Sequence, residues 1–235
     1  MALPFFYTDS LTAKDSLVLN EETSKHIVQV LRMQNGEQLQ LTDGKGNLFT
    51  TEITDNNRKK CSVKILQTSN FKPQTSNISI AISFVKNAHR FEWFLEKATE
   101  IGITEIIPLI CSRTEKQHFR YDRMQSVLIS AMLQSQQTFL PILYEPIKFT
   151  EVINKAAQEQ KFIAHCEDEN NKVQLASQLL KSSLAKLILI GPEGDFTKEE
   201  IHFAIQNNFI PVALGNTRLR TETAGMVAAT LLRLV

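Results

Sequence analysis

From Ile78 to the last residues, short apolar runs alternate with stretches whose apolar side chains recur every three or four positions. That alternation constrains the fold more than any other feature of the chain. Five runs read as strands: Ile78-Ser79-Ile80-Ala81-Ile82-Ser83-Phe84, Ile106-Ile107-Pro108-Leu109-Ile110, Lys161-Phe162-Ile163-Ala164-His165, Leu187-Ile188-Leu189-Ile190 and Pro211-Val212-Ala213-Leu214. Residues 90–101, 121–138, 173–180, 197–207 and 223–234 read as helices. In the first, Phe91, Phe94, Leu95 and Ala98 share one face, and Gly102 stands where a left-handed cap would end it. Strands separated by helices cannot pair through tight hairpins, so the expected sheet is mostly parallel and covered on both faces, an α/β arrangement. Pro108 has no amide hydrogen, so its strand is expected at an edge or ending there.

The first seventy residues keep a different rhythm. Leu39-Gln40-Leu41-Thr42 and Leu48-Phe49-Thr50-Thr51-Glu52-Ile53 flank a turn that carries Gly44 and Gly46, and Cys61-Ser62-Val63-Lys64-Ile65-Leu66 alternates again. One helix is expected over 22–32, with Ile27, Val30 and Leu31 on a common face and Asn35-Gly36 closing it. A small β-barrel with one short helix fits this stretch, making the chain α+β overall. The polar, proline-bearing residues 67–77 read as a linker. The expected domains are 1–70 and 76–235.

Charge gives little direction. The net charge is +1, and residues 1–75, 76–150 and 151–235 each hold nearly equal numbers of acidic and basic side chains. A nucleic-acid-binding chain usually declares itself by a basic balance, so any RNA contact must be local. Two basic patches are visible: Arg58-Lys59-Lys60 with Lys64, and Arg113 with Lys116, Arg120 and Arg123. Charge alone makes each a solvated face. Cys61, Cys111 and Cys166 form neither a metal-ligand spacing nor a disulfide framework, so a reducing, cytoplasmic setting is expected, with all three thiols buried. No signal segment, membrane span or metal site is expected.

Ligands of an open parallel sheet bind beyond the carboxyl ends of its strands. Two such ends stand out. Gly191-Pro192-Glu193-Gly194-Asp195-Phe196 follows one strand, and Thr197 with Glu200 then forms a capping box. Gly215-Asn216-Thr217-Arg218-Leu219-Arg220-Thr221-Glu222-Thr223 follows another and runs into a helix of small residues. Neither is a P-loop or a dinucleotide fingerprint. The first loop alone is weak evidence. The second is too polar for core, and both should open on the same edge of the sheet.

Together these stretches carry a resemblance. Leu189-Ile190-Gly191-Pro192-Glu193-Gly194, then Leu214-Gly215, then Leu219-Arg220-Thr221-Glu222-Thr223-Ala224 resemble the knotted SPOUT methyltransferases, and within them the 16S rRNA (uracil-N3) methyltransferase family. His26-Ile27-Val28-Gln29-Val30-Leu31-Arg32 resembles a motif of that family's PUA-like N-terminal domain. Lys97 to Gly102, Ile107-Pro108-Leu109, Ser112-Arg113, and Ala131 with Gln134-Ser135 and Pro141 resemble further stretches in the family's order. Leu133, Gln137, Asp195, Thr217 and Arg218 depart from the pattern. Those departures are expected to bear on RNA contacts and to leave the methyl-donor loops untouched.

The resemblance implies a SPOUT domain with a deep C-terminal trefoil knot, a homodimer, and S-adenosyl-L-methionine as methyl donor. It implies donor-binding roles for Leu189, Gly191, Glu193, Gly194, Leu214, Gly215, Leu219, Thr223 and Ala224. The substrate would be 16S rRNA, within the small ribosomal subunit, contacted by Arg32, Arg58, Lys59, Lys60 and Arg113. Uracil N3 is protonated at neutral pH, so the reaction needs a proton acceptor and a stabiliser of negative charge. Arg220 is the expected stabiliser, and Glu222 or Glu193 the acceptor. His26 is expected to order its domain, and His89, His118, His165 and His202 to be structural or exposed. Competing readings are a knotted methyltransferase acting on another base or a ribose 2′-hydroxyl, a non-catalytic RNA-binding protein, and a small-molecule nucleotide enzyme.

Overall fold

The computed structural model describes residues 3–9, 16–72, 77–115, 119–167, 172–179 and 185–234. The chain forms two compact units, Met1–Pro73 with Met132–Leu140, and Gln74–Ala131 with Pro141–Val235.

The smaller unit contains β1 (Phe5–Tyr7), β2 (Ser16–Val18), α1 (Glu21–Lys25), β3 (Gln38–Thr42), β4 (Asn47–Asp55) and β5 (Ser62–Asn70). They make one sheet in the order β1-β3-β4-β5-β2, antiparallel except for the β1–β3 pair. The expected barrel takes the form of a half-barrel: among the described residues no pairing joins β1 to β2. Alternation in β3 buries Leu39 and Leu41, which meet Ile27, Ile53, Cys61 and Val63 in the core.

Three expectations change here. The helix of 22–32 begins as expected, with the Asn20 side chain accepting from the Thr23 amide at 2.8 Å. At His26 it widens into a π-helical turn, His26–Val30, in which the Leu31 amide reaches the His26 carbonyl at 3.0 Å. The extra residue in the turn rotates the end of the helix off the buried face: Ile27 is fully buried, but Val30 is 68% and Leu31 43% exposed. The linker begins later than expected, since 67–70 are strand and pair with 47–50. Residues 73–76 of that linker lie outside the described residues. Finally, the helix expected to reach Thr138 stops at Gln134. Gln136 turns left-handed (φ 55°), and the Gly46 amide and Gly44 carbonyl capture Thr138 and Leu140 (2.9 and 2.8 Å) in the smaller unit.

The larger unit contains β6 (Ile78–Ser83), α2 (Ala88–Ile101), β7 (Glu105–Ile110), most of α3 (Tyr121–Gln134), β8 (Ile142–Leu143), β9 (Ile147–Lys148), α4 (Phe149–Lys155), β10 (Gln160–Ala164), β11 (Val173–Gln174), α5 (Leu175–Gln178), β12 (Lys186–Ile190), α6 (Lys198–Gln206), β13 (Ile210–Ala213) and α7 (Thr221–Arg233). Its sheet runs β11-β13-β10-β12-β6-β7-β8, with β9 also on β7, and every pairing is parallel. Val173-Gln174, expected to begin a helix, instead pair with β13 as the edge strand. Pro108 does not end β7 or put it at an edge. It pairs with Ile82 of β6, and on the other side it falls between the residues that pair with β8 and those that pair with β9. Its missing donor therefore faces a gap in the ladder.

The last helix, α7, lies against α2, β6 and β12. Gly225 permits the approach: a Cβ there would stand 2.7 Å from the Phe94 ring and 2.8 Å from Ile82. The central strands thus place the carboxyl ends of β13, β10 and β12 side by side, with the start of α7 beneath them.

Candidate active site

A cavity of about 420 Å³ opens at those strand ends. A second lobe of about 360 Å³ adjoins it, and Cys166, Arg218, Leu219 and Ala224 wall both. Both loops singled out from the sequence line it. Gly191, Glu193, Leu219, Arg220 and Ala224 line the larger lobe, while Leu214, Gly215, Leu219 and Ala224 line the smaller.

The loop after β12 is tightly held. The Phe196 ring is fully buried and packs on Phe149 at 5.4 Å between ring centres. Gly191 lies so close to it that a Cβ would meet that ring at 3.1 Å. The Thr221 hydroxyl donates to the Gly191 carbonyl at 3.1 Å, joining the loop to α7. The capping box forms as expected, with Thr197 Oγ1 accepting from the Glu200 amide and Glu200 Oε2 from the Thr197 amide. Glu200 does more: its Oε1 also accepts from the Ser112 amide (2.8 Å) and hydroxyl (3.1 Å). Arg113 Nη1 donates to the Gly194 carbonyl at 2.7 Å and the Phe196 carbonyl at 3.4 Å. Arg113, the expected RNA contact, and its neighbour Ser112 thus both bond this loop and the helix that follows it.

The loop after β13 is open. Gly215 has φ 133°, a left-handed conformation that disfavours any side chain, and a Cβ there would meet nothing within 4 Å. Asn216, Thr217, Arg218 and Arg220 are exposed, and their side chains have no hydrogen-bond or ion-pair partner among the described residues. Arg220 is the residue before α7, so the cavity meets both its guanidinium and the free amides of a helix start.

Several expected residues stand elsewhere. Leu189 is fully buried in the core and does not line the cavity; Ile190, on the opposite face of the strand, does. Gly194 lies in the loop after β12 and Thr223 in the first turn of α7, both outside the lining. Glu222 is 7% exposed, its Oε1 3.7 Å from Arg90 Nε and its Oε2 buried with no hydrogen-bond partner among the described residues. Arg90 reaches from α2 to the larger lobe and also contacts Glu193 at 3.4 Å. Arg32 and Arg58-Lys59-Lys60 are exposed on neighbouring turns of the smaller unit, tied together where the Asn56 amide donates to Asn35 Oδ1 at 2.8 Å.

The second basic patch is broken up by internal partners. Arg113 is committed to the loop carbonyls, and Arg123 forms a bidentate pair with Glu92 (3.1 and 2.9 Å) that holds the Glu92 carboxyl below its ordinary range. Lys116, like His118, lies outside the described residues. The cysteines also divide. Cys61 and Cys111 are buried, and burial with the charge of Glu200 pushes the Cys111 thiol up to about 12. Cys166, expected to be buried, is exposed in the cavity wall; partial burial, then the charge of Asp195, raises its pKa. His165 is buried and lines the smaller lobe.

Sequence reasoning missed Arg90, Cys166, Pro192 and Thr221 as wall residues, and expected the departures at Asp195 and Arg218 to bear on RNA contacts alone, whereas both residues line the cavity. Pro192, Thr221, Asp195 and Arg218 all lie within the two glycine-bearing loops or at their ends. Nothing local marks Arg90, which comes from a different helix.

A parallel sheet with a glycine-lined cavity at its strand ends defines an RNA methyltransferase once its matches are added. A family model described as an RNA methyltransferase domain matches residues 72–233, and one described as an RNA methyltransferase PUA domain matches residues 19–66. The ribosomal RNA small subunit methyltransferase E of Rickettsia conorii is 30% identical, over 97% of this chain and 94% of its own. A probable rRNA methyltransferase from Porphyromonas gingivalis is 36% identical with a TM-score of 0.90, covering 99% of this chain and 98% of the other. The ribosomal RNA small subunit methyltransferase E of Neisseria gonorrhoeae, solved bound to S-adenosyl methionine, is 29% identical with a TM-score of 0.87 and the same coverage. The chain belongs to the RNA methyltransferase family whose curated members include ribosomal RNA small subunit methyltransferase E.

Among the described residues, no group of three or more His, Cys, Asp or Glu side chains is placed to hold a metal ion, and no helix is long and apolar enough to cross a membrane.

Proposed function

We propose that this chain transfers a methyl group from S-adenosyl-L-methionine to N3 of a uridine in 16S rRNA. The observation that carries the reading is the meeting of two glycine loops, from β12 and β13, on one cavity that also holds the start of α7 and the free guanidinium of Arg220.

The cavity fits such a donor. Its volume falls in the range of about 300–1,000 Å³ usual for small-molecule sites. Backbone bare of a side chain at Gly215 allows close approach to an adenine and ribose, and Gly191, Ile190, Leu219 and Ala224 supply wall. The donor supplies an electrophilic methyl carbon on a sulfonium. The protein's part is orientation, since holding two reactants in near-attack geometry is worth on the order of 7–11 kcal/mol. Arg220 stands where it would stabilise negative charge on the uracil oxygens as the N3 proton leaves. Glu193, exposed at the mouth, is the acceptor we favour for that proton, whereas buried Glu222 would orient Arg90. Leu214, Gly215, Leu219 and Ala224 complete the donor seat, with Gly194 acting through the backbone of its loop, Thr223 through the first turn of α7 and Leu189 through the core behind them.

The same reading makes the smaller unit an RNA-docking module, with Arg32 and Arg58-Lys59-Lys60 as phosphate contacts. It includes a homodimer, the knotted passage of the C-terminal segment, the small ribosomal subunit as substrate and the cytoplasm as location.

The test is methyl transfer from labelled donor to small subunits lacking this modification, with nucleoside mass spectrometry. The expected product is 3-methyluridine. Ribose methylation would keep the enzyme class and remove the base assignment; absence of donor binding would leave a non-catalytic RNA-binding protein.

A further inference from the structure

Asp195 is one of the positions that depart from the pattern the sequence resembles, and its side chain makes two hydrogen bonds at the cavity wall. Its backbone is left-handed, with φ 62°, the conformation for which glycine is usually chosen. An aspartate tolerates that region better than most residues because its short side chain can bond locally. Here it bonds both locally and across the sheet. Oδ1 accepts from the Phe196 amide at 2.8 Å, and Oδ2 accepts from the Cys166 amide at 2.7 Å. Cys166 follows the carboxyl end of β10, and Asp195 lies in the loop after β12, the strand beside it. One carboxylate therefore ties together the ends of two neighbouring strands, and both residues line the larger lobe. Its Oδ1 also stands 3.3 Å from the place a Gly191 Cβ would occupy, so a side chain at 191 would crowd it.

The other holdfasts of the loop act elsewhere. Arg113 grips the Gly194 and Phe196 carbonyls, Glu200 grips Thr197, and Thr221 grips the Gly191 carbonyl. Asp195 links it by a side-chain hydrogen bond to Cys166, two residues past the end of β10. The Cys166 amide is otherwise a strand-end donor with no neighbouring strand residue to receive it, and a charged acceptor makes a shorter and stronger bond than a neutral one.

We infer that Asp195 is a positioning residue of the methyl-donor pocket, holding the loop after β12 against the end of β10 so that the cavity is formed before the donor arrives. The inference rests on the methyl-transfer reading only for the identity of the ligand. A pre-formed pocket binds more tightly because less ordering accompanies binding.

The test uses the full chain with Asp195→Gly and Asp195→Asn, titrating S-adenosyl-L-methionine and its demethylated product, S-adenosylhomocysteine, by calorimetry. Glycine suits the backbone but loses both hydrogen bonds, so affinity for both ligands falls about tenfold while the fold is kept, as circular dichroism would report. Asparagine retains one acceptor and tolerates the same φ, so it restores about half of that loss on a logarithmic scale. Equal affinity of wild type and Asp195→Gly overturns the inference. So does a loss for the cationic donor alone with the uncharged product spared, which would make the carboxylate a charge partner of the sulfonium. If wild type bound neither ligand, the methyl-transfer reading would fail first, and this inference with it.

Discussion

The two loops that line the cavity are held in opposite ways. The loop after β12 is fixed by Asp195, Arg113, Glu200 and Thr221, with Phe196 sunk in the core. The loop after β13 turns at Gly215 and offers Asn216, Thr217, Arg218 and Arg220 to solvent without partners among the described residues. The difference teaches how labour is divided in such a site. A small ligand gains from a wall already in place, because ordering the wall would subtract from affinity. A large, charged substrate gains from free cations that can complete their contacts when it arrives.

The sharpest way to break this contrast is Arg220→Ala. Removing one preorganised stabiliser of developing charge should lower the rate of methyl transfer by about 100-fold or more. Donor affinity, measured by calorimetry, should hold within about twofold, since the change removes a group used in the transition state. A large loss of donor affinity would instead make the Arg220 guanidinium itself part of the donor seat.

The braced loop is tested by Glu200→Ala. The substitution removes the capping box and both bonds to Ser112, and should cost about 2–3 kcal/mol of stability in denaturant unfolding. A cost near zero would show that the buried Phe196 alone suffices to hold the loop.

Arg113→Ala separates bracing from RNA contact. As a brace, Arg113 should affect donor affinity several-fold, by about 1 kcal/mol, and leave the salt dependence of RNA binding unchanged. If it touched a phosphate, the slope of log affinity against log salt would fall by about one.

The smallest effect concerns Cys166. An alkylating reagent should label this thiol and spare Cys61 and Cys111, which are buried, the latter held protonated to about 12. Saturating donor should slow the labelling, followed by peptide mass spectrometry. Unchanged labelling would mean that the donor leaves the shared wall of the two lobes open.

Much of the fold was readable because its causes are local. The apolar runs at 78–84 and 187–190, the shared face of Phe91, Phe94, Leu95 and Ala98, the left-handed Gly102 after α2 and the Thr197–Glu200 box all became the elements expected of them. The errors also have local causes that periodicity does not register. A single extra residue in the turn at His26 turned Val30 and Leu31 outward. Val173-Gln174 had helical neighbours but found an open strand edge beside β13. Residues 135–138 could have continued a helix, yet the glycine turn at 44–46 bound them instead.

By itself, then, the sequence determined which segments became strands and helices and that two glycine loops would end two of the strands. Spacing, caps and backbone freedom act within a few residues, and all of them are written in order along the chain. Only the tertiary structure decided what the polar side chains around those loops do. Arg113 meets Gly194 across 81 positions, Ser112 meets Glu200 across 88, and Asp195 meets Cys166 across 29. Such partners are chosen by the order of the strands in the sheet, where β10 lies beside β12 and only β6 separates β12 from β7. Whether a charged residue contacts a substrate or braces the wall beside it is therefore fixed only after the chain has folded.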